Sequence, residues 1–162
     1  MSDQSLLLLL DEVRGKTIRL LQGVVDEEAH WSPPALHNHI LWHAGHSFVL
    51  VESLAMEAID ELPQIPEGWF DIFSWKSNPA QVASYQWPSL VRIIAELTEQ
   101  HVRLRKMIEK LTEEQLAREL PGRGGHAARY AIIHGLHDEA CHCGEIWLLR
   151  KLIRSSAQEK AR

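Results

Sequence analysis

The sequence predicts an all-α fold: a four-helix bundle with a long connection between its second and third helices. Three observations carry that prediction. Apolar residues recur at the spacing of an amphipathic helix in four long segments. Turn-forming residues gather between those segments, as at Pro63, Pro66, Gly68, Asn78 and Pro79, and again from Pro121 to Gly125. The two halves also share an organisation. Each has a long apolar segment ending in an acidic step (Val25-Asp26-Glu27-Glu28 and Leu111-Thr112-Glu113-Glu114), then a Pro or Gly loop, then a histidine-bearing segment. Such a pattern suits two helical hairpins facing each other, with residues 1–162 forming one domain.

The first helix is expected from about Gln4 to Val25, with Leu6, Leu7, Leu10, Val13, Thr17, Leu20, Leu21 and Val24 on its apolar face. Asp26 to Glu28 and then Ser32-Pro33-Pro34 stop it. Asn38 is the expected N-cap of a second helix running to about Asp60. The connection that follows contains Trp69, Phe70, Phe73 and Trp75, and so much aromatic surface predicts a segment packed over the bundle. A third helix starts near Pro88-Ser89 and continues through Leu90, Ile93, Ile94, Leu97, His101, Leu104 and Ile108. Thr112 to Gln115 reads as the capping box of a short extra helix. The fourth long helix is expected from about Ala127 to Ile153.

Composition narrows the function. A chain of 162 residues can bury a core without disulfides or a structural metal, so a metal here is expected to serve function. A net charge of −5 and a pI near 6.0, without a long basic block, argue against nucleic acid as a partner. No apolar run approaches the roughly 18 residues that span a bilayer. The Leu6 to Leu10 run follows an acidic start without a basic leader, so the expected location is the cytoplasm and no membrane partner is expected. Cys141 and Cys143 point to different helix faces, which disfavours a bridge between them.

The segment from Ile133 to Ile146 places polar groups inside an apolar helical pattern. His134, Asp138, His142 and Glu145 fall within about 80° of arc on one face. Buried ionisable groups are costly unless paired or bound to a metal. A partner is available in the second helix, where His39, His43 and His46 lie within about 60° of one another. Packing the two helices together makes the geometry of a metal site in a helix bundle.

The motifs His137-Asp138-Glu139-Ala140 with His142 and Gly144-Glu145-Ile146, together with Trp42-His43-Ala44-Gly45-His46 and Leu148-Leu149-Arg150, resemble the DinB superfamily. That superfamily includes mycothiol-dependent maleylpyruvate isomerases and bacillithiol transferases. The resemblance covers most of the chain and implies a divalent metal, zinc or nickel, with a low-molecular-weight thiol as a second cofactor and a homodimer as the assembly. It implies His46 as the ligand from the second helix and Asp138 and His142 as the i, i+4 pair from the fourth. Many relatives have His where this chain has Asp138.

Each assignment has a competitor. His43 lies one turn from His46 and is the alternative ligand of the second helix. Asp138 could instead accept the N–H of a ligating imidazole, which would leave His134 as a donor. Glu145 reads either as an acid/base group or as a hydrogen-bond partner of a ligand, and His39 and His134 as groups lining the pocket. His30, His37, His101 and His126 are expected at the surface or at helix ends, and His137 lies off the stripe. Cys141 could face the site. Gly135 and Gly144 each weaken a helix by up to about 1 kcal/mol relative to Ala, which suggests close approach of a neighbour or room for a ligand.

Three protein ligands leave an open position on the metal, which suits catalysis on a small molecule better than a closed structural site does. A metal-dependent thiol S-transferase acting on a small electrophile is the leading reading. A hydrolase of a small ester or amide is the second, and a non-catalytic metal-binding stress-response module the third.

Overall fold

The computed structural model describes residues 3–34, 36–77, 79 and 86–160. Asn78, one of the expected loop markers, lies outside them. Helix α1 (Gln4–Leu21) is capped by Asp3, whose carboxylate accepts the Leu6 N–H at 3.1 Å. The acidic step after it does more than stop the helix. Asp26, Glu27 and Glu28 occupy the first turn of a separate short helix, α2 (Asp26–Ala29), where carboxylates complement the positive end of the helix dipole.

Helix α3 (Ile40–Val51) is buried along its whole length. Its cap is His39 rather than the expected Asn38, because His39 Nδ1 accepts the Trp42 N–H at 3.1 Å. An unprotonated ring nitrogen does here what an Asn side-chain oxygen does elsewhere. The helix then widens into a π-helical turn at Glu52–Met56. The connection beyond it contains a short helix, α4 (Trp69–Phe73), entered through Gly68 at φ 77. Its aromatic residues divide: Trp69 and Phe73 are buried, while Phe70 and Trp75 remain exposed. Phe73 lies so close to Gly45 that a Cβ on Gly45 would overlap its ring.

Helix α5 (Leu90–Ile108) begins where expected, but Pro88 precedes the cap instead of entering the first turn, and Ser89 is the cap, its Oγ accepting the Arg92 N–H at 3.3 Å. The capping box of α6 (Glu113–Ala117) also forms: Thr112 Oγ1 accepts the Gln115 N–H and Gln115 Oε1 the Thr112 N–H. The Pro121 to Gly125 stretch is the turn of a small antiparallel hairpin, β1 (Glu119–Leu120) with β2 (His126–Ala127). Helix α7 (Ala128–Lys160) runs on past the expected end near Ile153. Apart from that hairpin the described residues are helical or irregular, and no helix among them is long and apolar enough to cross a membrane.

The long helices touch in a closed ring, α1 against α7, α7 against α3, α3 against α5 and α5 against α1. Two apolar clusters fill the interior. One holds Leu21, Ile40, Phe48, Leu97 and Ile146, the other Leu10, Ala55, Leu104 and Leu136. The order of these residues gives the helix directions: α1 and α7 climb from the second cluster to the first, whereas α3 and α5 descend. Because α3 and α5 run the same way, the chain must travel back along the molecule between them, and this is why that connection is long.

A polar layer separates the clusters. Arg14 of α1 is fully buried and forms a bidentate pair with Glu139 of α7, both bonds at 2.8 Å. Its remaining N–H groups donate to Leu97 O and to Gln100 Oε1 of α5. Gln100 in turn donates to Glu52 at the start of the π-helical turn, which also accepts from Arg103 and from the Gln64 N–H. Each long helix contributes to one connected network, so the buried charges are hydrogen-bonded as well as paired.

Candidate metal centre

The first apolar cluster ends in a group of imidazoles between α3 and α7. His43 and His46 are each 5% exposed. His43 Nδ1 lies 2.9 Å from His142 Nδ1, and the ring centroids of His46 and His142 are 4.6 Å apart. His46 has a defined tautomer. Its Nδ1 hydrogen-bonds the Phe73 carbonyl, which can only accept, so Nδ1 carries the proton and Nε2 keeps a free lone pair. Trp42 stacks on the His46 ring at 4.5 Å and is tied to the connection by its Nε1 donating to Ser77 Oγ.

Burial holds these rings neutral. The His43 pKa is pushed down to about 3 by desolvation and then by the neighbouring His142, His46 and His39. His142 is lowered to about 4, again by desolvation first and by His46 second, with the Asp138 charge opposing. His46 is lowered by burial against the opposing pull of the Phe73 carbonyl and of Asp138. Neutral imidazole is the form that binds a metal.

The structure therefore brings His46, His43 and His142 together, with Asp138 near enough for its charge to act on His46 and His142. Asp138 is partly exposed, and one of its oxygens lies 3.2 Å from His134 Nε2 on the outer side of α7. Glu145 is exposed and lines a cleft of about 430 Å³ together with His43, His142, Leu36, Asn38 and Leu149. Among the described residues no three metal-capable side chains are drawn into a finished cage.

Other histidines are dispersed. His39 packs 4.8 Å from the Trp87 ring and 5.3 Å from that of His30. His101 is half-buried and pairs with Asp11 at 2.8 Å. His30, His37, His126 and His137 are exposed. Cys141 faces solvent, away from the cleft, with its Sγ 4.0 Å from His137 Nε2, and Cys143 is buried; both are free thiols.

Sequence reasoning missed two contributors. The Phe73 carbonyl that orients His46 is a backbone atom of the connection, and no side-chain pattern marks it. Arg14, whose pair with Glu139 underlies the site, was passed over although it interrupts the apolar stripe between Leu10 and Thr17.

Comparison with curated proteins finds no match. Among solved structures, the crystal structure of a conserved protein from Enterococcus faecalis superposes with a TM-score of 0.79, covering 96% of this chain and 99% of that one. Identity is 15%, so the likeness is one of fold. A sequence profile of the DinB superfamily matches residues 9–146, a span that takes in most of α1, the imidazole cluster of α3 and α7, and the connection between α3 and α5. The chain belongs to the DinB superfamily.

Proposed function

We propose that the protein is a four-helix bundle of DinB type that binds zinc or nickel and uses it for thiol S-transfer to a small electrophile. The observation that carries this reading is the group of neutral, buried imidazoles at the floor of a cleft open to solvent. The residues fit a metal by their chemistry. A ligating His normally donates its other ring N–H to a carbonyl or carboxylate, and His46 does so to Phe73. That leaves Nε2 of His46, the His142 ring and the Asp138 carboxylate as the donor set, with His43 as the competing imidazole of α3. The 2.9 Å approach of the His43 and His142 nitrogens is close to the separation of two ligands on one ion.

Bound there, the metal would lower the pKa of a thiol or of water brought to its open position. The chain supplies the rest. The Asp138 carboxylate offsets positive charge beside His46 and His142. Glu145, exposed on the cleft wall, would accept the proton that an incoming thiol loses, and Leu36 and Leu149 would offer apolar surface to an electrophile. Thiol transfer of this kind belongs to the cytoplasm, where low-molecular-weight thiols are kept reduced.

The test is to load the protein with zinc or nickel and present bacillithiol, mycothiol, glutathione and coenzyme A together with a chlorodinitrobenzene or a bimane, beside a panel of activated esters without thiol. Metal-dependent conjugation that His142→Ala removes supports transfer. Thiol-independent ester cleavage supports the hydrolase reading instead. Inactivity in both panels of a demonstrably metal-loaded protein turns the reading to a non-catalytic binding module.

A further inference from the structure

The described wall of the cleft beside the imidazoles carries a single fixed charge. Leu36 and Leu149 are apolar, His37 and Asn38 hold no fixed charge, and Glu145 is a carboxylate open to solvent. No Lys or Arg is among the described residues that line it. The basic residues that follow on α7 are turned elsewhere: Arg150, Lys151 and Arg154 lie about 100° or more around the helix from Leu149. Two of them are also engaged, Arg150 with the Leu20 carbonyl and Lys151 over the Trp147 ring at 4.2 Å.

This wall sets the charge of the molecule that fits. A divalent ion held with Asp138 keeps one net positive charge, and one thiolate cancels it. A thiol that also bears a carboxylate or phosphate brings that further anion to Glu145, with no cation on the described wall to meet it. A positively charged nitrogen pairs with Glu145 instead. Spacing gives the reach. Glu145 follows His142 by three residues, so their Cβ atoms are about 5 to 6 Å apart on α7, and a two-carbon spacer between sulfur and nitrogen suits a gap of that size.

We propose that the cleft selects a small cationic thiol, with a charged nitrogen two carbons from sulfur and no anionic group, and that Glu145 makes the selection. The inference rests on the thiol-transfer reading and narrows it. When such a thiol binds, its S–H bond breaks with the electron pair left on sulfur. The proton passes by way of Glu145 to the solvent that reaches it, so the carboxylate is charged again beside the nitrogen. Glutathione and coenzyme A, with their several anionic groups, are then poor ligands.

Calorimetric titration of the zinc-loaded full chain at pH 8.0, its metal content measured beforehand, tests this with thiocholine, 2-mercaptoethanol and 2-mercaptoethanesulfonate. The three share a two-carbon spacer and differ in charge, and the quaternary nitrogen of thiocholine cannot itself ligate a metal. Affinity is expected to fall in that order. Thiocholine should lead the sulfonate by at least about fivefold in low salt, the scale of an exposed ion pair, and the margin should shrink in about 0.5 M salt. Glu145→Gln should level the series and Glu145→Lys should reverse it, while Glu99→Gln, at an exposed carboxylate of α5 outside the cleft, should keep the order. A sulfonate that binds as tightly as thiocholine, or a preference that survives Glu145→Gln, overturns the proposal and leaves thiol transfer standing. If none of the three binds the metal-loaded chain, the thiol-transfer reading itself falls and the proposal with it.

Discussion

His46 is the residue whose hydrogen bonding fixes which nitrogen is free to bind a metal. His142→Ala and His46→Ala are expected to abolish stoichiometric zinc or nickel binding in calorimetric titration, whereas His134→Ala, which removes a partner of Asp138, should weaken it by about 10- to 100-fold. If His43→Ala abolishes binding and His46→Ala does not, His43 is the ligand from α3. A second expectation concerns the metal-free protein. His39, His43 and His142 have pKa values of about 4, about 3 and about 4, below the ordinary value of 6.5. The unfolded chain therefore takes up protons at these rings before the folded one does. Stability is complete above pH 6.5 and falls as the pH drops towards 4, by up to about 1.4 kcal/mol per pH unit for each imidazole. Urea unfolding with a chelator present, at pH 7.5, 6.0 and 5.0, measures this, and a flat profile would mean that the rings are not buried. The candidate residues were legible in the sequence because helical periodicity alone places His43, His46, Asp138 and His142 on facing stripes. Tautomers and the Phe73 carbonyl were not legible, because they depend on how a distant segment folds back.

Among the elements, α4 has the clearest tie to the site. Its Phe73 ring fills the space beside Gly45 and its last carbonyl orients His46, so the two contacts are coupled. Gly45→Ala should push the ring away, at a cost of about 1 to 3 kcal/mol in stability, with a parallel loss of metal affinity. Thermal unfolding and metal titration of the same variant report both, and an unaltered affinity would show that the carbonyl is dispensable. The long helices were readable from apolar spacing, and the short α6 from the Thr112 capping box. The short elements were not, since α2 and the β1–β2 hairpin contain too few residues for any periodicity to emerge. His39 escaped notice as a cap because imidazole serves in that role only when the local backbone turns its Nδ1 towards the Trp42 N–H.

For the whole molecule, the layer of Arg14, Glu139, Gln100, Glu52 and Arg103 ties the four long helices at one level. Arg14→Met should cost about 3 to 5 kcal/mol, because it strands the Glu139 charge in the interior, and adding Glu139→Leu should restore much of that loss. Denaturant melts of the two variants decide the matter: a double variant no more stable than the single one would mean that the layer itself, rather than an uncompensated charge, holds the helices. The network joining the long helices was not legible in advance, since Arg14, although it interrupts an apolar stripe, lies 125 residues from Glu139 and nothing in the sequence pairs the two. The imidazoles have a similar separation, with His43 and His142 99 residues apart. Synthesis proceeds from the N-terminus, so α3 is complete while α7 is still unmade. A nascent chain thus displays His39, His43 and His46 without their counterparts. The imidazole group of α3 can therefore be completed only after α7 has been made, near the end of the chain.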